Sequence, residues 1–173
     1  MTRTSLANYP CPLARAADAV GDKWALLVLR DALAGVRRFS DFKARLGVST
    51  NILTERLNHL VEQGVLDRKP VRPGVQRVEY HLTEKGLDLA HALVALWHWG
   101  ERWAFEDGQS PVAVQTRDTG EPLGPLQLQT KSGRPVTLAD IEMVPTDAAP
   151  QATRQSYAAL KAQSSTRKPH APG

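Results

Sequence analysis

The sequence predicts a mainly helical fold with one small β hairpin and a β-rich segment near the C-terminal end. Three observations support this class: helical apolar spacing over most of 12–105, an alternating run beside a Pro-Gly turn, and short alternating runs after residue 109. The expected boundaries are 1–105 for the main domain, 106–146 for a small β-rich extension and 147–173 for a mobile tail.

Composition excludes several classes of protein. The 173 residues are 42% hydrophobic, and the longest strictly apolar run, 24–29, is much shorter than the ~20 residues that cross a bilayer. No signal-peptide pattern opens the chain, and the single cysteine, Cys11, cannot form an internal disulfide or a multi-thiolate zinc site. We therefore expect a soluble cytoplasmic protein without a metal or cofactor.

Positive charge is concentrated in the main domain. Residues 1–105 contain 15 Lys and Arg against 11 Asp and Glu, whereas 106–173 contain 7 of each. The excess is densest at 37–85, so an anionic partner is expected to bind there.

Two helices are predicted at the start of the domain. The first begins near Pro12 and is expected to bury Leu13 and Val20, together with two alanines between them. The second is capped by Asp22, runs through KWALLVLRDALAG and ends at Gly35.

The next pair of helices has the pattern of a helix-turn-helix. Ser40 is expected to cap a helix of about two turns, Gly47 to turn the chain, and Ser49 to cap a second helix ending at Gly64. The apolar stripe of that second helix consists of Leu53, Leu57, Leu60 and Val61. Its other side is expected to point outward and contains Asn51, Thr54, Glu55, Asn58, His59 and Glu62.

A hairpin and a long helix complete the domain. The hairpin spans 66–82 around Pro73-Gly74, and its basic residues are Arg68, Lys69, Arg72 and Arg77. Thr83 then caps a helix from 84 to about 105 with two apolar stripes. One stripe contains Leu87, Ala90, Leu93, Val94 and Trp97, and the other contains Leu89, Ala92, Leu96, Trp99 and Trp103.

One stripe suffices to attach a helix to its own domain, so the second favours pairing with another copy of the chain. The expected homodimer interface is Leu89, Leu96, Trp99 and Trp103. Two alternatives remain open: the C-terminal segment covers this stripe within the chain, or the tryptophans line a pocket for a small effector.

The extension contains a weak repeat, RDTGEPLGP and TKSGRPVTL, in which each copy is expected to form a tight turn before a strand. The turns are faintly similar to zinc-ribbon knuckles, but Thr119 and Ser132 stand where thiols would bind zinc. The tail is expected to contain at most a short helix around 156–162.

Together these strings resemble the HxlR-type bacterial regulators, which are winged helix-turn-helix proteins related to the MarR type. The resemblance covers roughly 9–105 and rests on CP, GDKWALLVLRDAL, RRFSDFKARLGVSTNILTERLNHLVEQGVLDR and RVEYHLTEKG, followed by a Trp-containing helix. It implies a bacterial, nucleoid-associated transcription factor, a repressor by family tendency, with a recognition helix at 49–63 and a wing tip at 72–77.

The residues support the same mechanism. The residues expected to read base edges are Thr50, Asn51, Thr54, Glu55 and Asn58. Those expected to bind phosphates are Arg37, Arg38, Lys43, Arg72 and Arg77. A dimer would place two recognition helices about 34 Å apart, or a multiple of that, which predicts an inverted-repeat operator.

Two interpretations of Cys11 remain open. Some family members respond to electrophiles or oxidants through an N-terminal cysteine, and Cys11 occupies that place at a helix start that favours a thiolate. The alternative is an ordinary packed side chain. A docking module that has lost operator binding is the competing function, and a thiol enzyme is disfavoured because no base is evident beside Cys11.

Overall fold

The computed structural model describes residues 5–72, 74–106 and 109–164. Its elements are α1 (Pro12–Val20), α2 (Lys23–Leu33), α3 (Phe39–Leu46), α4 (Thr50–Glu62), β1 (Leu66–Pro70), β2 (Val78–Leu82), α5 (Glu84–Trp103), β3 (Leu128–Gln129), β4 (Pro135–Val136), a 3-10 turn (Leu138–Asp140) and α6 (Gln151–Ser164). They form two compact units, one of residues 16–126 and one that combines 5–15 with 127–164. The mainly helical class and the hairpin are confirmed.

The hydrophobic core lies in the first of these units, where α2, α4 and the hairpin meet. Phe42 of α3 is fully buried, and its ring contacts Tyr80 of β2 edge to face, with 6.4 Å between ring centroids. The other buried apolar residues are Ala25, Val28, Leu29, Ala32, Val48, Leu53, Leu57, Leu60, Val65 and Leu66. The apolar stripe expected on α4 is therefore in the core, with Val61 at its margin.

Both α1 and α2 begin where the sequence predicts. Asp22 caps α2 by accepting hydrogen bonds from the backbone N–H groups of Trp24 and Ala25. The expected buried face of α1 is largely wrong: Leu13 is 77% exposed, and the two alanines, Ala16 and Ala17, are exposed as well. Only Val20, at the end of the helix, packs against the core.

A buried carboxylate joins α2 to α3. Asp31 is fully buried and forms ion pairs with Arg30 (2.9 Å) and with Arg45 of α3 (3.2 Å). The hydrogen bond from Arg45 to Asp31 raises the pKa of that guanidinium. The two arginines compensate the cost of burying the carboxylate, and Arg45 fixes α3 against α2.

The turn between α3 and α4 follows the sequence closely, but the start of α3 does not. Gly47 ends α3 at φ +61°, a left-handed conformation that glycine adopts without strain. Ser40 does not cap α3: the helix begins at Phe39 with Arg38 at the capping position, and the Ser40 hydroxyl lies against Asp41 at 3.0 Å.

The first turn of α5 is attached to the loop that ends α4. Thr83 caps α5 at Gly86 N and donates its hydroxyl hydrogen to Gly64 O at 2.7 Å. Lys85 Nζ donates to Gln63 O at 2.6 Å. Gly86 is buried so closely that a Cβ there would lie 2.3 Å from Val65 O. The Thr-Glu-Lys-Gly string thus joins the long helix to the end of α4.

This attachment decides which side of α5 faces the core, and it corrects two predictions. Leu89 and Leu93 pack against the core, so Leu89 belongs to the inner face and not to the expected dimer stripe. Leu87, expected inside, is 54% exposed. The core-facing side of α5 consists of Gly86, Leu89 and Leu93, because Gly86 lies directly against Val65. Helical periodicity alone does not specify which side of the helix faces the core.

Two turns of the extension have equivalent hydrogen bonds. In the first, Gly120 has φ +71° and the hydroxyls of Thr116 and Thr119 are 2.6 Å apart. In the second, Gly133 has φ +84° and the hydroxyls of Thr130 and Ser132 are 2.9 Å apart. The predicted repeat is confirmed, although its strands are two residues long or reduced to a single bridge.

The C-terminal helix is longer than the sequence predicts. α6 spans Gln151–Ser164, whereas the expected helix covered 156–162. Arg154 donates to the carbonyls of Ala149 and Asp147, which supports the first turn. The rest of the predicted tail lies outside the described residues.

Candidate nucleic-acid interface

The N-terminal half of α4 presents an exposed polar surface within residues 16–105, the winged unit. Ser49 caps the helix and accepts a hydrogen bond from Ile52 N at 3.4 Å. Leu53 and Leu57 lie in the core, so the opposite side of the helix points to solvent. α4 is therefore a short capped helix held by its apolar side and open on its polar side.

Asn51 and Thr54 lie on that open side. Both side chains are exposed, and within the described ranges neither has a hydrogen-bond partner in the protein. An amide and a hydroxyl one helical turn apart can donate to and accept from the edges of neighbouring bases. These two predicted reading residues are thus available to a ligand.

Two other predicted reading residues have partners close by. Thr50 accepts a hydrogen bond from Lys43 Nζ at 2.8 Å, which draws the ammonium of α3 to the start of α4. Glu55 pairs with Arg56 at 2.6 Å, and Arg56 reaches towards Asp22, the cap of α2, at 3.6 Å. Glu55 is 66% exposed in its side chain, so the pairing does not bury it.

Asn58 is half-buried and accepts a hydrogen bond from Arg68 of β1. Arg68 also lies over the ring of Tyr80, with 5.6 Å from its guanidinium carbon to the ring centroid. The recognition helix and the hairpin are therefore linked by the side chain of Arg68, in the middle of β1.

His59 points away from the core as expected, but it is partly buried against α1 and does not belong to the open side of α4. Its Nε2 lies 3.0 Å from Ala19 O and 3.3 Å from Asp18 O, at the C-terminal end of α1. Nε2 is the donor in both contacts, because a carbonyl oxygen can only accept. The histidine therefore joins α4 to α1.

Four of the five predicted phosphate-binding residues are exposed cations around this surface. Lys43 stands at the start of α4, and Arg38 pairs with Glu79 of β2 at 3.4 Å while 60% of its side chain stays exposed. Arg72 and Arg77 are exposed at the end of the hairpin, on either side of the turn.

Arg37 is the exception. It is partly buried, and its Nη1 donates to the carbonyls of Ala32 and Val36. Its own carbonyl accepts from Tyr80 N at 2.8 Å, which attaches β2 to the loop before α3. These contacts indicate that Arg37 holds the hairpin and the loop together, so its guanidinium is engaged within the protein.

The outer side of α5 carries an uncovered apolar line. Leu96, Trp99 and Trp103 are 49%, 61% and 64% exposed. They are spaced three and four residues apart, so they lie along one side of the helix. The guanidinium carbon of Arg102 lies 4.9 Å from the centroid of the Trp103 ring, so a cation borders the line at its C-terminal end.

Cys11 immediately precedes α1 and is partly exposed, and its carbonyl accepts from Arg15 N at 3.2 Å. Within the described ranges, no three His, Cys, Asp or Glu side chains group as metal ligands would. Likewise, none of the described helices combines the length and apolarity needed to cross a membrane.

A helix-turn-helix with an exposed polar reading helix and an arginine-tipped hairpin defines a winged helix-turn-helix DNA-binding protein. Residues 19–107 match the model of the HxlR-like helix-turn-helix family. The chain therefore belongs to that family, as its sequence resemblance predicts.

Similar proteins indicate the same class. An uncharacterised HTH-type transcriptional regulator of Mycobacterium tuberculosis is 37% identical over 131 residues, covering 76% of this chain and 83% of that protein. A crystal structure of a candidate transcription factor is 40% identical, with a TM-score of 0.77, and covers 83% of this chain and 100% of that one. Because 83% of 173 residues exceeds 107 residues, this likeness continues beyond the family domain.

A more distant structure is the reduced form of the redox regulator HypR. It is 28% identical, with a TM-score of 0.51, and covers 56% of this chain and 99% of that one. The family and the first two relatives are transcriptional regulators rather than enzymes. The protein is thus a transcriptional regulator with a helix-turn-helix fold, and its partner is DNA.

Proposed function

We propose that the protein binds an inverted-repeat operator as a homodimer and represses transcription. In this proposal α4 enters the major groove, where Asn51 and Thr54 read base edges. The observation that carries the proposal is the exposure of these two side chains, without protein partners in the described ranges, on the capped end of a rigidly packed helix.

The phosphate contacts surround that helix. Lys43 would neutralise a phosphate at the helix start, and Arg38 one beside β2. Arg72 and Arg77 would follow the flanking backbone or minor groove from the hairpin end. Because such cations release condensed counterions, the affinity should fall steeply with salt.

The dimer would form through Leu96, Trp99 and Trp103. Exposed tryptophans and a leucine on one helical line are a surface whose burial releases water and stabilises an interface. The same residues of a second copy supply a matching surface by symmetry. Glutamate in place of Trp103 should shift the protein to monomer in sedimentation, whereas glutamate at Val112, 57% exposed outside α5, should not.

Cys11 is the proposed trigger for release from the operator. The thiol is partly exposed at a helix start, and one structural relative is a redox regulator. With one cysteine per chain, oxidation would form a disulfide with a small thiol or with a second copy, and a quinone would add directly to sulfur. A small ligand is the alternative effector, and binding to operator DNA puts the protein at the bacterial nucleoid.

The test is fluorescence binding to the DNA upstream of the protein's own gene across a salt series. Arg72→Ala should weaken binding to every duplex and reduce the log-log salt slope by roughly 0.9. Asn51→Ala should lose the preference for the operator over an unrelated duplex, with the slope unchanged. Arg117→Ala, an exposed arginine of the extension, is the matched control.

Wild-type binding that is indifferent to Arg72→Ala and Asn51→Ala together would overturn the proposal and favour a protein-docking module. The trigger is tested separately. A quinone or a disulfide oxidant should release the wild-type protein but not Cys11→Ser, and equal release of both would exclude the thiol.

A further inference from the structure

Arg68 is a basic residue of the hairpin to which the sequence assigns no role. It lies opposite Tyr80 in the β1–β2 register, so both side chains are on the same face of the two-stranded sheet. Its guanidinium covers the Tyr80 ring, and its Nη2 donates to Asn58 Oδ1 of α4. Despite these two contacts the residue is exposed.

The partner of Arg68 belongs to the reading side of the recognition helix. Asn51, Thr54 and Asn58 are spaced three and four residues apart and follow one line along α4. Arg68 therefore adds a positive charge to that line at its C-terminal end, where the helix meets the hairpin.

We propose that Arg68 contacts a DNA phosphate and that Asn58 is its positioning residue rather than a reader of bases. This inference rests on the proposed function. The N-terminal residues of a recognition helix meet base edges, so a cation two turns further along lies nearer the sugar-phosphate backbone.

The geometry suits such a contact. The Tyr80 ring covers one face of the planar guanidinium, which is always charged. Asn58 Oδ1 accepts a hydrogen bond from one of its nitrogens. Within the described part of the chain, Nε and Nη1 have no hydrogen bond, and they remain to donate to a phosphate oxygen. Because the guanidinium is already ordered, less side-chain entropy is lost when DNA binds.

The first test replaces Arg68 by glutamine, which removes the charge and keeps a planar amide. Binding of R68Q to operator and to unrelated duplex should weaken together, and the log-log salt slope should fall by roughly 0.9. The affinity deficit should therefore shrink about three- to fourfold between 50 and 200 mM salt.

Lys69→Gln is the matched control, because Lys69 is the next residue of β1 and its side chain points to the other face of the strand. It should leave the slope unchanged. Equal slopes for wild type and R68Q, or an equal fall for both variants, would overturn the inference. Should R68Q unfold, R68K retains the charge without the stacked plane and is expected to keep the wild-type slope.

The second test concerns Asn58. Asn58→Ala should weaken binding to all duplexes, and it should have little further effect in R68Q, because the two residues act as one unit. Loss of base preference at one operator position, with equal effects in both backgrounds, would instead make Asn58 a reader and overturn its positioning role.

Different results would overturn the proposed function and the inference about Arg68. If the wild-type protein shows no salt-dependent binding to duplex DNA, the proposed function itself is wrong. If the wild-type protein binds and Arg72→Ala reduces the slope while R68Q does not, the failure is confined to the inference about Arg68.

Discussion

The winged unit and the extension after residue 109 are ordered by different interactions. The winged unit has a cluster of 12 buried apolar residues. In the described parts of the extension and the tail, every residue of 109–163 is partly or fully exposed, including Leu138 at 81% and Met143 at 76%. The extension is instead shaped by turns in which threonine hydroxyls bond to one another and to backbone N–H groups.

The two regions are therefore stabilised by different contributions to the free energy of folding. Buried apolar area supplies most of the free energy of folding, whereas exposed hydrogen bonds replace bonds to water and contribute little net stability. We therefore expect substitutions in the winged unit to change global unfolding, and substitutions in the extension to change local order.

The largest expected effect is at Phe42. Replacing it by alanine removes a fully buried ring and should lower the free energy of unfolding by about 3–5 kcal/mol. Leu138→Ala, in the extension, should change it by less than about 0.5 kcal/mol. Denaturant unfolding followed by circular dichroism measures both, and comparable losses would contradict the contrast between the regions.

The second effect compares two glycines of α5. A methyl group at Gly86 would meet the Val65 carbonyl, so Gly86→Ala should destabilise the fold by about 1–3 kcal/mol. Gly100 has nothing within 4 Å of the same position, and Gly100→Ala should stabilise the helix by about 0.5–1 kcal/mol. Opposite shifts of Tm in calorimetry would confirm the attachment at Gly86.

A third effect compares two caps. Ser49→Ala should lower the free energy of unfolding by about 1 kcal/mol, because the cap of α4 stabilises a helix that is part of the core. Thr137 caps the 3-10 turn of the extension through a mutual pair of bonds with Asp140. Thr137→Ala should accelerate amide exchange around that turn without moving the main unfolding transition.

The smallest expected effect is the dependence of the stability of the 3-10 turn on pH. Hydrogen bonds from the backbone and hydroxyl of Thr137 lower the pKa of Asp140 below its ordinary value of 3.8. Their contribution is present above that value and is lost as the pH falls through the lower pKa of the folded turn. A carboxyl NMR titration should show this depressed midpoint. In Thr137→Ala the midpoint should rise only part of the way to 3.8, because alanine keeps the backbone N–H that makes the larger contribution.

The sequence predicts those features that local chemistry determines. The caps Asp22, Ser49 and Thr83 and the glycine turn at Gly47 are all confirmed. Each of them depends on residues within a few positions of one another, which a pattern can reveal.

Apart from the start of α3 and the length of α6, the errors concern contacts between distant segments. The inner side of α5 depends on Gly86 meeting Val65, and the partial burial of His59 depends on the end of α1. The link from Asn58 to Arg68 requires the register of the hairpin. Charge and exposure could have suggested Arg68 as a site residue, but its partner could not be read from periodicity.

The attachment of α5 to the loop that ends α4 fixes the position of the reading helix relative to α5 within one copy of the chain. Since Thr83, Lys85 and Gly86 hold the two helices together, two copies joined along α5 would present their reading helices at a set separation. A single base pair inserted between the half-sites rotates one relative to the other by about 34°. Such a protein would discriminate between operators by the spacing of their half-sites as well as by their base sequence.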